Sequence, residues 1–361
     1  MKYRTVVLED NLDISTAATK TWDLNLNDPI SRLSFKFNIQ NHATTPVIVA
    51  HPARAVTKVE IIDGSHMIAS ISGEQLLSMN YYDNKRMPQS YINGVTATQS
   101  YFTACLDFGR WLWDTELAFD PKRYNNPQIR ITYNKALYET SAAYMYLTMW
   151  ADVFDEKAPS PRGYLKRHEI TTWTPANSTK TRLDLPIDFP YRALFATGYS
   201  TTDTVKAAIE QLKISEDTDK KVPIDINTKY LAGQIMGDYP PILETVVHVG
   251  ATGTETLYTM ASNEGKFVGL STTQEIVFLT SYTADTLVVD CQTGSNRIEG
   301  TSTGYIPFHT LPLYFGDRND LGDWYDPITA AIKKLELIAT GSSSVGTSPV
   351  GRICLEQLVP F

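Results

Sequence analysis

Leu106–Asn134 reads LDFGRWLWDTELAFDPKRYNNPQIRITYN, and its outline returns near the C-terminus as Tyr314–Thr340, YFGDRNDLGDWYDPITAAIKKLELIAT. Phe108-Gly109 corresponds to Phe315-Gly316, Asp120-Pro121 to Asp326-Pro327, and the alternating run Ile129–Asn134 to Leu335–Thr340. All three correspondences fall at an offset of about 206 or 207 residues, in the same order. A single Phe-Gly or Asp-Pro means nothing, but three at constant offset describe one structural unit used twice. The period is far too long for a solenoid repeat, so the unit is a duplicated domain.

Working outward, each half carries the same series of signals. Leu33, Phe35, Phe37 and Ile39 alternate with polar residues, as do Leu183, Leu185, Ile187 and Phe189. Alternation at period two marks a strand with one buried face. Val56–Ile62 and His66–Ile71 flank Asp63-Gly64, a hairpin dipeptide, and Gln211–Ile214 and Val222–Ile226 flank the polar turn 216–220. A short helix follows each hairpin, over 74–79 with Ser72 as its cap and over 228–236. Tyr101–Leu106 and Ile129–Tyr133 read as strands. Ala143–Phe154 is apolar on both faces and reads as a strand covered on both sides.

The offset between the halves is about 155 at the helix and about 207 at Phe-Gly, so the second copy holds about 52 extra residues between them. That interval contains five strand-like runs separated by Gly-, Thr-, Ser- and Asn-rich turns. It predicts a protruding β-rich insertion at about 250–304. The run 158–163, Ala-Pro-Ser-Pro-Arg-Gly, cannot continue a ladder and marks the boundary between halves. The expected organisation is an N-terminal arm over 1–28, a first sandwich over 29–157, the connection 158–163, and a second sandwich over 164–361. Two copies of about eight strands with long connections fit tandem jelly rolls: an all-β chain with short helices in its connections and a β-rich insertion in the second roll. Two immunoglobulin-like sandwiches fit less well, since neither the helices nor the absent Cys…Trp…Cys spacing suits them.

The 361 residues suffice for two or three domains, and 20 tyrosines favour pleated half-buried surfaces. A formal charge of −8 argues against nucleic-acid binding through a basic surface, sequence-specific or not. The basic trio Lys166, Arg167 and His168 reads as a solvated face beside the connection. Cys105, Cys291 and Cys354 have no ligand or disulfide spacing and read as small buried hydrophobes. MKYRTVVLEDNLDIS lacks an apolar core for a signal peptide, so synthesis in the cytoplasm is expected.

Chemistry is sparse. There is no GxSxG, HExxH, P-loop or GxGxxG, and the six histidines share no spacing, so no enzyme, catalytic residue or cofactor is assigned. Asp317, Asp320, Asp323 and Asp326 stand three apart and could gather oxygens for Ca²⁺. The blander reading has them closing turns and capping a helical segment, and no metal is assigned. Trp111, Trp113 and Trp324 could stack on a sugar, but their place inside the repeated unit favours packing or a subunit contact.

The chain resembles the double jelly-roll major capsid proteins of tailless, membrane-containing double-stranded DNA viruses of bacteria and archaea. The resemblance lies in VEIIDGSHMIASISGEQLLSMNYYD (Val59–Asp83), in LDFGRWLWDTELAFDP followed by NNPQIRITYN, and in KLELIAT…RICLEQLVPF. It implies a homotrimeric capsomer of pseudo-hexagonal outline that tiles an icosahedral shell. The insertion would form an outward tower, and the N-terminal arm would lie at the base near neighbouring capsomers or an internal lipid membrane. Penton or minor capsid proteins are further implied partners, and the virion capsid is the implied location. The alternatives are a glycan- or receptor-binding two-sandwich protein, and a glycan-acting hydrolase on the same scaffold.

Overall fold

The computed structural model describes residues 2–44, 46–155, 159–249, 253–271, 276–283, 286–291 and 297–361. The first half runs β1 (Tyr3–Asp13), β2 (Ala18–Asp23), β3 (Ile30–Gln40), β4 (Val56–Asp63), β5 (His66–Ile71), α1 (Gly73–Asn84), β6 (Ser90–Asn93), β7 (Gln99–Asp107), β8 (Pro127–Tyr133) and β9 (Tyr144–Phe154). The second half opens with β10 (Gly163–Trp173), β11 (Lys180–Leu185), β12 (Tyr191–Tyr199), α2 (Val205–Ala208), β13 (Gln211–Glu216), β14 (Lys221–Asn227) and α3 (Thr228–Asp238). Six strands follow: β15 (Ile242–His248), β16 (Gly253–Tyr258), β17 (Ala261–Ser271), β18 (Ile276–Thr283), β19 (Thr286–Cys291) and β20 (Ile298–Pro307). The chain closes with β21 (Thr310–Tyr314), β22 (Leu335–Thr340) and β23 (Val350–Pro360).

The two halves share one topology. The first contributes β1-β9-β3-β7 and β2-β8-β4-β5, the second β10-β23-β12-β21 and β11-β22-β13-β14. Set β6 and β15–β20 aside and count eight core strands in each half. Both then show one sheet in the order 1-8-3-6 and the other in the order 2-7-4-5. That is the jelly roll, met twice. Two parallel pairings sew the halves together. Ala69 and Ser70 of β5 pair with Arg167 and His168 of β10, and Tyr91–Asn93 of β6 pair with Thr245–Val247 of β15. One roll's sheet thus continues into the other's.

In the first roll alternation built the wall as read, whereas the run Leu183–Phe189 is strand only as far as Leu185, and that strand is the second of its roll rather than the counterpart of β3. Leu33, Phe35 and Phe37 are buried beside Leu106, Ala104 and Phe102 of β7, and Phe35, Phe37 and Ile39 beside Met149, Leu147 and Met145 of β9. Helix α1 starts at Ser72, whose hydroxyl accepts from Gln75 N while the Gln75 side chain accepts from Ser72 N, a reciprocal capping box. The insertion strands lie where expected, although the excursion opens earlier, at β15, and closes later, at the end of β20. Parts of 250–304 and of the connection 158–163 fall outside the described residues.

Two expectations are corrected. Residues 1–28 are not an arm, since β1 and β2 are core strands of the first roll, paired with β9 and β8. Their alternation is hidden because β1 is an edge strand with register shifts at Val7/Glu9 and Glu9/Leu12, which break the period of two. Strand β9 is fully covered on one face only, the other being closed just at its end, where Phe154 packs on Tyr3 and Trp113. Met145, Leu147, Met149, Ala151 and Val153 are buried, while Tyr144 is exposed and Tyr146, Thr148 and Trp150 are half-buried on the other face.

Candidate functional site

The repeated unit proves to be the connection from the sixth to the seventh core strand, followed by the seventh strand itself. Phe108 N donates to Ser31 O and Phe315 N to Arg192 O, each tying the unit to the roll's third strand. Ile30 and Phe119 exchange both backbone hydrogen bonds, and so do Tyr191 and Tyr325. Phe108 stacks on Phe119 at 5.0 Å, and Phe315 on Tyr325 at 5.4 Å. Gly109 and Gly316 let the loop close. A Cβ would lie 2.5 Å from Leu117 O at the first and 2.2 Å from Asp323 O at the second, where φ is +77°. The hairpin turns join in, with Asp63 accepting from the amides of Asn125 and Asn126, and Asp217 from those of Lys333 and Lys334.

This geometry accounts for the acidic cluster. Asp317 accepts from Asn319 N, Asp320 from Gly322 N at 2.9 Å, Asp323 from Asp317 N at 2.6 Å, and Asp326 from Ile328 N and the Thr329 hydroxyl. Each carboxylate closes its own turn. Among the described residues, no three or more His, Cys, Asp or Glu side chains gather in a way that could hold a metal ion. The tryptophans part company. Trp324 is buried and donates to Asp317 O, Trp113 stacks on Tyr3 at 4.2 Å, and Trp111 is exposed with the Arg110 guanidinium over its ring. Three stacking platforms on one face do not exist. Cys105 and Cys354 are free thiols, the latter buried, and the side chain of Cys291 lies outside the described residues.

A charged cluster that sequence reading missed locks the rolls together. Asp83 ends α1 of the first roll, and Arg167 (β10), Arg192 (β12) and Glu356 (β23) belong to the second. Arg167 donates to Glu356 Oε1 and to Asp83 Oδ2, both at 2.6 Å. Arg192 donates to Asp83 Oδ1 at 3.0 Å and to Glu356 Oε2 at 2.5 Å. All four side chains are buried. Burial alone would push the Asp83 carboxyl up, but Arg192 and Arg167 beside it hold it below the ordinary carboxylate range. Arg318 extends the network to Tyr82 O and to the Tyr314 hydroxyl, each at 2.9 Å. The Lys166–His168 trio is therefore no solvated face. Strand β10 lies inside an eight-stranded sheet, so Arg167 is fully buried and His168 nearly so. The available signal was a charge standing alone in an apolar run, as with Arg192 in Tyr-Arg-Ala-Leu-Phe and Glu356 in Ile-Cys-Leu-Glu-Gln-Leu.

A second buried polar knot seats the insertion on the first roll. Glu244 of β15 accepts from Ser90 Oγ at 2.7 Å and from Met260 N at 2.9 Å, and meets His51 Nε2 at 2.9 Å. His51 Nδ1 accepts from Ala53 N, which places the ring proton on Nε2, facing Glu244. Burial raises the Glu244 carboxyl, yet the His51 contact and the other two hydrogen bonds hold it below the ordinary range. Ser, His and Glu here share one ring nitrogen. A relay needs the acid on one nitrogen and the nucleophile on the other, so this knot is built as a fastening.

The comparisons add the fold to this picture. No family model matches the chain, and no curated protein matches it. Among solved structures, the chain is similar to the STIV major capsid protein, with a TM-score of 0.65 at 12% identity over 100% of this chain and 98% of that one. It is similar to the PBCV-1 virus capsid protein, with a TM-score of 0.58 at 10% identity over 99% and 93%. It is also similar to the major capsid protein P2 of bacteriophage PM2, with a TM-score of 0.55 at 9% identity over 99% and 98%. The double jelly roll read from strand order is the architecture of these proteins.

Proposed function

We propose that this chain is a viral major capsid protein, a structural protein of the virion that works by assembling with itself. One observation carries the reading: a single chain holds two rolls of identical topology, fused through continuous sheets and locked by buried charges. Three such chains around a threefold axis present six similar units, so a homotrimer gives a pseudo-hexagonal capsomer that tiles an icosahedral shell. The rolls are two structural units divided about 158–163, the first beginning at β1.

The outer face of β9 supports this. Tyr144, Tyr146 and Trp150 lie there, and across β3 the same sheet carries the aromatic pair Tyr91–Tyr101, whose ring centroids are 5.5 Å apart. Tyr and Trp are the side chains that interfaces favour. A face that is apolar in sequence but uncovered in the single chain suits a subunit or capsomer wall.

The insertion enters β21 at one end and the repeated unit leaves it at the other, so the two lie at opposite ends of the second roll. The insertion forms the outward tower. The opposite end carries Tyr3, Trp111, Ile328 and Phe361, all exposed, and this is the side we assign to an internal lipid membrane, with penton or minor capsid proteins at its margins. The chain is made in the host cytoplasm, binds no nucleic acid directly and performs no catalysis.

The test is sedimentation of the purified protein followed by electron microscopy. A stable trimer that forms hexagonal arrays is the expected result. A protein that stays monomeric at high concentration and is retained on a glycan array would replace this reading with the glycan-binding one.

A further inference from the structure

Beneath the insertion, where the two rolls meet, lies a cavity of about 370 Å³. Its walls are largely apolar, from Val56, Leu137, Phe308 and Val350. Four ionisable groups face it. Arg54 pairs with Glu74 at 2.9 Å and lies over the Tyr199 ring at 5.2 Å. Arg352 at the start of β23 is half-buried and, among the described residues, has no ion-pair partner. His309 is fully buried, packs edge-on against Tyr199 at 5.1 Å, and has neither ring nitrogen hydrogen-bonded. Glu74 answers Arg54, and burial pushes the His309 imidazole down to about 3 and keeps it neutral, so Arg352 is the cation that faces the cavity without a paired carboxylate among the described residues. A second hollow of about 390 Å³ shares Thr57, Ser72, Val350 and Arg352 with the first, so Arg352 stands on the wall between them; Lys58 and Glu169 also line the second hollow, where Glu169 accepts from the Gln75 amide.

We propose that this cavity binds a small amphipathic monocarboxylate, its apolar body between Leu137, Phe308 and Val350 and its carboxylate on Arg352. A half-buried guanidinium without an anion is poorly placed in an apolar wall, and a carboxylate that reaches it forms a charge-assisted, two-pronged contact. The cavity's volume is at the small end of ligand sites and suits a body of a few carbons or one ring. His309 at the wall supplies a further donor that the protein leaves unused.

Sodium octanoate, octanol, octylammonium and sodium acetate are the probes, titrated into the full chain in its purified oligomeric state by calorimetry and thermal shift. Octanoate should bind once per chain, about ten-fold or more tighter than octanol, and acetate and octylammonium should not bind measurably. Arg352→Met should bring octanoate down to the level of octanol. Should Arg352→Met fail to fold, Leu137→Trp tests the same point, because Leu137 is partly exposed at the rim and a larger ring there fills the cavity. It should abolish octanoate binding while the melting temperature is kept. Octanoate binding no tighter than octanol, acetate binding as well as octanoate, or binding that survives the variant that folds would each overturn the proposal.

Discussion

Replacing Asp83 by alanine removes one of the two anions that hold Arg167 and Arg192. Two hydrogen bonds are lost, at 2.6 and 3.0 Å, and two guanidiniums then face a single carboxylate, Glu356, in a site with almost no solvent. Removing one partner of a buried pair costs about 3–5 kcal/mol, mostly because the remaining charge is left uncompensated. Against a stability of about 5–15 kcal/mol for a typical domain, that is a large fraction. Urea unfolding followed by tryptophan fluorescence measures it, with the midpoint shift read at constant slope. The control is Glu299→Ala, which breaks the exposed Arg297–Glu299 pair and should cost about 0.5 kcal/mol or less. The acid limb supplies a second readout. Because the folded carboxyl is depressed, its stabilisation is present above the ordinary value of about 4 and is lost as pH falls through the folded value. Asp83→Ala should therefore flatten the lowest part of the pH–stability curve. A loss under about 1 kcal/mol with an unchanged acid limb would refute the claim that this cluster locks the rolls.

Gly316→Ala should destabilise by about 1–3 kcal/mol, since φ is +77° and the new Cβ meets Asp323 O, whereas Gly64→Ala, at φ +57° in open space, should cost only about 1 kcal/mol. Equal melting temperatures for the two variants would contradict the close-approach argument. Glu244→Ala leaves His51, Ser90 and Met260 N without their shared acceptor and should cost about 2–4 kcal/mol. Limited proteolysis should then cut the insertion faster than the rolls, and uniform cutting would count against a local seat. Burial pushes the His168 imidazole down to about 4, so its contribution is present above the unfolded value of about 6.5 and falls away by about 3 kcal/mol as pH drops to about 4. His168→Gln should lose less stability than the parent between pH 7 and pH 4, and an equal loss measured by urea midpoints would show that His168 does not drive it.

Self-similarity and alternation made the two rolls legible, because period-two strands such as Leu33–Ile39 and a repeated loop both leave marks within a short window. What stayed hidden depends on partners far along the chain. Arg167 finds Glu356 at a separation of 189 residues and Asp83 at 84, and no local pattern distinguishes a buried arginine from a solvated one. The parallel joins of β5 to β10 and β6 to β15 are tertiary choices of the same kind. Strand β1 was missed for a different reason. An edge strand with register shifts needs only one face packed, by Val6, Leu8 and Leu12, and its remaining positions can be polar. Carboxylates at regular spacing in the acidic cluster look convergent in sequence, but successive turns each consume one, as the turn-closing reading expects.

The two copies of the repeated unit are alike where they tie third, fifth and seventh strands together, and unlike where the sixth strand begins. In the first roll that strand is preceded by the four-residue β6, in the second by the six strands β15–β20. On the capsid reading this distribution has a physical cause. In the proposed capsomer, both rolls of every chain would meet neighbours in nearly equivalent positions around a pseudo-sixfold, and the base connections are held to one geometry by paired backbone bonds and by glycines whose added Cβ would strike a backbone oxygen. In that capsomer the far ends would face outward, where no neighbour imposes a match, leaving one copy free to carry the insertion. The insertion still needs a firm foundation, and the Glu244 knot to His51 and Ser90 supplies it from the first roll. An insertion that belongs in sequence to one roll is thus anchored on the other, which couples the two halves there as Asp83 and Glu356 couple them within.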